Sequence, residues 1–190
     1  MYGIKYEDYK EYGVRKYGAH GTSHKFVSQE AAKYLGKQPD KLKIVTCHLG
    51  NGSSISAVDC GKCVDTSMGF TPLAGVLMGT RSGDIDASAV EFLARKKGLN
   101  HADTVTYLNK QCGVAGISGV SSDFRDLIAG EESGNERCAL ALDMFAYQTK
   151  KFVGAYAAAM GGLDCIVFTA GIGENAPTVR EDVCEGVEFL

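Results

Sequence analysis

The chain has 190 residues, 45% hydrophobic and 23% charged, with a formal net charge of -3, which suits one soluble domain or most of one lobe of a larger protein. That balance excludes the basic footprint of a nucleic-acid binder and the polybasic patch of a membrane-surface protein, and no apolar run approaches a membrane span. The charged start, Met1 to Asp8, reads as no signal peptide. Most of the seven cysteines, such as Cys47, Cys138 and Cys165, lie in apolar runs, as reduced thiols in the cytosol would.

Residues 1–18 hold five of the nine tyrosines. Tyr6, Tyr9 and Tyr12 recur at helical spacing, so this short helix docks either on its own domain or on something outside it. Thr22 or Ser23 is expected to cap a helix to about Tyr34, with Phe26, Ala31, Tyr34 and Leu35 as the apolar stripe and Gly36 as the stop. Leu42 to Leu49 reads as a buried strand. A turn at Gly50-Asn51-Gly52 leads to a second strand, Ser53 to Val58. A second turn, Asp59 to Lys62, leads to a third strand ending near Ser67. The three form an antiparallel meander.

Residues 69–86 read as a Gly-rich loop. Helices are expected over 86–97, 102–111 and 122–129, and a long one over about 135–160 whose Leu142, Phe145, Ala146, Phe152, Val153 and Tyr156 lie on one broad face. Gly161-Gly162 closes it. Asp164 to Thr169 reads as a buried strand, followed by a Gly-rich loop and a helix after Pro177. The pattern predicts an α/β fold with a mixed sheet and flanking helices.

Two Gly-rich loops follow strands. His48-Leu49-Gly50-Asn51-Gly52 can turn several backbone N–H groups into one space, where they hold phosphate oxygens. Gly171-Ile172-Gly173-Glu174-Asn175 lies between a strand and a helix, where N–H groups and the positive helix end meet a ligand. Each alone could be a plain turn; together they favour a nucleotide. Neither is a Walker A loop or a Rossmann fingerprint. His20 lies in a Gly-flanked loop and suits a donor to a ligand, or a structural bond to backbone. His20 and His24 do not make a zinc pair, because glycine and cap residues separate them and no third ligand follows. Arg81, between Gly79 and Gly83, can fork onto phosphate or pair with Asp84 or Asp86. Asp123, Phe124 and Arg125 open a helix with an Asp cap and can also reach a nucleotide. The lone Cys60-Gly61-Lys62-Cys63 lies in a turn and is read as incidental.

These loops, in order, resemble the acetate kinase family. The resemblance rests on Tyr17 to His24, Thr46 to Ser54, Thr66 to Leu73, Met78 to Gly83, Ser122 to Arg125 and Phe168 to Asn175, and covers essentially the whole chain. It implies a ribonuclease-H-like lobe of the acetate and sugar kinase, heat-shock chaperone and actin superfamily. Residues 1–18 would be a connecting segment from a missing N-terminal lobe. Residues 19–190 would be a C-terminal nucleotide-binding lobe cut short at its end. The implied reaction is acetate plus ATP giving acetyl phosphate and ADP, with Mg²⁺. His20 and Arg81 would stabilise the transferring phosphoryl group. His48, Leu49, Gly50, Asn51 and Gly52, then Asp123, Phe124 and Arg125, then Gly171 to Asn175 would bind the nucleotide. No metal ligand is assigned within the chain. Family members are typically homodimers in the cytosol, so self-association is expected.

The chain also departs from the family pattern. Segments matching the family's N-terminal Asn, carboxylate-binding Arg and catalytic Asp, and its late metal-side Glu, are not found. Ala19 stands where a bulky aromatic usually precedes the His, which would widen the acyl pocket toward propionate or butyrate. The alternatives are an isolated, non-catalytic nucleotide-binding or dimerisation module and, disfavoured by the His20 and Arg81 segments, a sugar kinase.

Overall fold

A computed structural model describes residues 1–190. Its centre is a four-stranded mixed sheet in the order β3-β2-β1-β4, from β1 (Lys43–Leu49), β2 (Ser53–Asp59), β3 (Lys62–Thr66) and β4 (Cys165–Thr169). The first three strands form the expected antiparallel meander, and β4 runs parallel to β1. The β2–β3 turn places Cys60 and Gly61 at φ 52° and 76°. Two successive positive φ values give the turn whose twist matches a hairpin.

Alternation along β1 assigns its faces. Val45, Cys47 and Leu49 enter the main core with Ile55 and Ala57 of β2. That core is closed by α7 (Glu136–Met160), which buries Cys138, Ala141, Leu142, Phe145, Ala146, Val153 and Tyr156. Asn135 caps its first turn through bonds from the N–H groups of Arg137 and Cys138, and Gly161 ends it at φ 71°. The shorter helices α5 (Gly113–Ser118), α6 (Phe124–Glu132) and α9 (Pro177–Cys184) pack on α7. Phe124 of α6 meets Phe145 edge-on, ring centroids 4.7 Å apart.

The other face is covered by α2 (Gly21–Tyr34). Here the expected stripe is corrected. Phe26 and Tyr34 are 61% and 92% exposed, whereas α2 buries His24, Ser28 and Ala32. Toward the site its opposing strand residues, Thr46, Ser54 and Ser56, are polar and buried, so hydrogen bonding selects the inward face there, while Ala32 packs with Ile44 and Val58 farther along. The cap differs too. The helix starts at Gly21, and His20 takes the N-cap position with no side-chain cap bond.

Three further differences follow from local geometry. Strand β4 was expected to be buried, yet it is an open sheet edge and every one of its residues is only partly buried. Residues 170–175 are a short helix, α8 (Ala170–Asn175), not an open loop. The helix α5 has no counterpart in the sequence reading. The helix α1 (Tyr6–Tyr12) forms as expected and buries no residue, so it does not dock on its own domain. The loop-rich middle carries α3 (Ala87–Lys97) and α4 (His101–Lys110), and no helix is long and apolar enough to cross a membrane.

Phe145 is fully buried between sheet and helices. Phe145→Ala is expected to destabilise the chain by about 3–5 kcal/mol, read by urea unfolding; a loss under about 1 kcal/mol would contradict this packing.

Candidate functional site

The site grows from the end of β1. Gly50, Asn51 and Gly52 turn the chain into β2, and Ser53 Oγ donates to Gly50 O at 2.9 Å across that turn. The Gly79 N–H donates to Asn51 O at 3.1 Å, which ties the turn to the loop carrying Arg81. A side chain at Gly52 would meet Arg81 Nη1 at 3.1 Å and the His20 ring at 3.7 Å. Glycine there lets the turn backbone, a guanidinium and an imidazole share one space.

His20 reaches that space from a left-handed backbone, φ 59°. A non-glycine residue there costs roughly 1–3 kcal/mol and persists where its surroundings hold it. Its ring stacks on His48 with centroids 4.0 Å apart. Its Nδ1 is 2.9 Å from Ser54 Oγ. Behind it, His24 is bonded at both nitrogens, Nε2 to Ser54 Oγ at 2.6 Å and Nδ1 to Thr46 Oγ1 at 2.7 Å. His48 Nδ1 meets Ser23 Oγ at 2.9 Å.

Arg81 is held by backbone on two sides. The N–H groups of Cys112, Val114 and Ala115 donate to Thr80 O, Met78 O and Gly79 O at 2.9 to 3.0 Å. Gly113 lies between them at φ 66°, and a Cβ there would strike the Arg81 loop backbone. Arg81 pairs with neither Asp84, which accepts from the Gly75 N–H, nor Asp86, which caps α3. Its Nη1 reaches only Pro72 O at 3.3 Å and Met78 Sδ at 3.7 Å. The guanidinium therefore keeps an uncompensated charge facing the turn.

Beside this corner lies a cleft of about 680 Å³ lined by Gly50, Asn51, Asp123, Phe124, Arg125, Gly171, Ile172 and Asn175, among others. Segments more than a hundred residues apart thus meet in one space. Leu49 and Gly173 are different. The Leu49 side chain is buried in the core, and Gly173 is buried against Phe168. Thr169 Oγ1 donates to Glu174 Oε1 at 3.3 Å. Arg125 forks onto Asp123 with bonds of 2.6 to 3.2 Å. That fork and the Arg125 N–H hold the Asp123 carboxyl down at about 2.

Burial holds His20 below the usual imidazole range, and the nearby charges of His48 and Arg81 act the same way. Burial also lowers His48. His24 is pushed down to about 4, mainly by burial. All three rings are therefore neutral near pH 7.

A family model, the acetokinase family, matches residues 1–190. The chain belongs to the acetokinase family. Acetate kinase of Phocaeicola vulgatus is 58% identical over the whole chain, which covers 48% of that protein. The crystal structure of Porphyromonas gingivalis acetate kinase superposes with a TM-score of 0.97 at 51% identity, covering 100% of this chain and 47% of that one. A propionate kinase from Francisella tularensis subsp. tularensis SCHU S4 follows at TM-score 0.91 and 46% identity, covering 96% of this chain and 47% of that one. The chain spans about half the length of the curated relatives it matches. The acetokinase likeness accounts for the mixed α/β fold, which fits the ribonuclease-H-like superfamily.

The sequence reading missed three supports of this candidate site. Ser54 and Thr46 sit within quoted motifs, yet nothing local marks them as partners of His24. Gly113 had a readable signal, a glycine two residues past the expected helix 102–111, but its neighbour in space lies more than thirty residues away in the chain.

His24 is neutral when folded and has an ordinary pKa of 6.5 when unfolded. The unfolded chain therefore binds more protons between these values. Its contribution is complete above pH 6.5 and is lost as pH falls toward 4. Urea unfolding at pH 7.5 and pH 4.5 should differ by about 2–3 kcal/mol from this group. A flat profile over that window would contradict a buried neutral His24.

Proposed function

We propose that this chain is the nucleotide-binding lobe of an acetate kinase, with residues 1–18 as the segment that enters it. The observation that carries the reading is the convergence of residues 50–51 and 123–125 with Gly171, Ile172 and Asn175 on one cleft, and the meeting of His20 and Arg81 beside Gly52, the next residue of the same turn. An ATP placed in the cleft would run its phosphates along the Gly50–Gly52 turn toward that pair. A carboxylate oxygen of acetate then attacks the γ-phosphorus in line, and the bond to the bridging oxygen of ADP breaks. The products are acetyl phosphate and ADP.

The chain's own part is to hold and stabilise. Arg81 supplies the positive charge at the equatorial oxygens, and His20 supplies a second donor. Backbone bonds from residues 112–115 hold the Arg81 loop, so little reorganisation is needed as charge develops. Mg²⁺ accompanies the nucleotide in this reading. Self-association and a cytosolic setting belong to the same proposal. They are supported by exposed Tyr6, Tyr12, Phe26 and Tyr34 and by seven free thiols.

A second reading, a preference for propionate, draws on the likeness to the propionate kinase and on Ala19. Ala19 lines a cavity of about 380 Å³ with Tyr17, Gly18, His24 and Thr66. Neither His20 nor Arg81 lines that cavity, which favours acetate as the first reading. Ala19→Phe in a chimera with the other half of one of these acetate kinases should shift the propionate-to-acetate ratio toward acetate; an unchanged ratio would sink the idea.

Calorimetry of the 190-residue chain with ADP tests the main reading. Binding is expected, and Arg125→Ala should weaken it by about 1.5 kcal/mol or more. In the chimera, Arg81→Ala should lower kcat by about 10³-fold or more in a hydroxamate assay. Turnover by the 190-residue chain alone would overturn the reading of it as one lobe, and no ADP binding would overturn the cleft assignment.

A further inference from the structure

The four bonded groups behind the phosphoryl corner have a direction, and the direction follows from hydrogen-bond arithmetic. Thr46 is fully buried. Its hydroxyl has two acceptors within reach, Ser56 O at 3.4 Å and His24 Nδ1 at 2.7 Å. An O–H···O bond normally spans about 2.5–3.0 Å, so the hydroxyl hydrogen goes to His24 Nδ1. His24 is neutral and carries one N–H. With Nδ1 accepting, that N–H sits on Nε2 and donates to Ser54 Oγ at 2.6 Å. Ser54 is also fully buried, and its remaining partner is His20 Nδ1 at 2.9 Å. Its hydroxyl therefore donates to His20. A neutral His20 must then carry its proton on Nε2, which has no protein partner.

We propose that Thr46, His24 and Ser54 form a one-way hydrogen-bond chain that fixes the Nε2–H tautomer of His20 and so aims a donor at the transferring phosphoryl group. The second half rests on the phosphoryl reading of His20 given above. Thr46, His24 and Ser54 are positioning residues, since each acts through the next. Run the other way, the chain would leave His20 Nε2 as a lone pair facing phosphate oxygens, which repels them. The groups facing His20 are His48 stacked on it, His24 behind Ser54, and Arg81 across Gly52. None is an anion that would favour a protonated ring. A neutral donor is thus available to the site without the cost of charging a buried imidazole beside a guanidinium.

The tautomer can be read directly. The 190-residue chain, ¹⁵N-labelled at histidine, gives long-range proton–nitrogen correlations for its four imidazoles at pH 7.5. His20 and His24 should each show a protonated Nε2 and an unprotonated Nδ1. A protonated Nδ1 on His20 overturns the proposal, and so does a charged ring. Thr46→Val keeps the buried shape and removes the first donor. It should turn the single His20 tautomer into a mixture; a single Nε2–H form in that variant overturns the role of Thr46 and His24. If Thr46→Val does not fold, the unsubstituted chain still decides the direction. In the chimera, ADP with aluminium fluoride and magnesium should move the His20 Nε2 signal. An unmoved signal overturns the phosphoryl-facing half alone, so failure of the functional reading is distinguished from failure of the hydrogen-bond chain.

Discussion

Strand β1 is paired along both edges and covered on both faces, antiparallel to β2, parallel to β4, under α2 on one side and against α7 on the other. A strand held this way has little freedom at its end. Its last residues, His48 and Leu49, therefore leave the sheet in a fixed direction, with Leu49 anchored in the core and His48 facing α2. The Gly50–Gly52 turn inherits that direction. It meets Arg81 through Gly79 and His20 through the open space at Gly52. The corner formed by His20, Gly52 and Arg81 is thus an extension of the sheet rather than a loop laid over it.

The two sheet faces solve different problems. The α7 face is apolar and contributes stability by burial. The α2 face is polar at its site end, where His24, Ser28, Thr46, Ser54 and Ser56 are all buried. Apolar residues there would be cheaper to bury. A satisfied polar layer instead fixes ring orientations, because His24 has a partner at both nitrogens and His20 and His48 each have one at Nδ1. The contrast with Tyr156 is instructive. Its hydroxyl is buried without a partner on the apolar side, and burial drives its pKa upward.

Much of the fold was legible because local chemistry and global structure agree. The turns carry glycine where positive φ or close approach requires it, and α7 has an apolar stripe with Asn135 and Gly161 at its ends. The α2 face was not legible. Apolar periodicity chose Phe26 and Tyr34, because a buried serine or histidine is cheap only when its partner is known, and the partners lie on strands. Strand β4 misled for a related reason, since an apolar run does not say whether it is central or at an edge. At the site, the residue types at 20, 48–52, 81, 123–125 and 171–175 could be read along the chain. Their meeting could not, because it depends on which strands pair and on how α5 braces Arg81.

In the proposed reading, the two cations Arg125 and Arg81 differ in what a nucleotide would displace. Arg125 is exposed and forked onto Asp123, and an ion pair in water is weak because solvent screens it. Exchange of that carboxylate for a ligand group costs little and can accompany binding. Arg81 has no carboxylate to give up. Its contacts are a carbonyl and a thioether, both neutral, and its loop is fixed by backbone bonds. In the proposed reading the adaptable cation therefore meets the incoming nucleotide, and the fixed one meets the developing phosphoryl charge. That division suits a site in which binding tolerates adjustment and charge stabilisation does not.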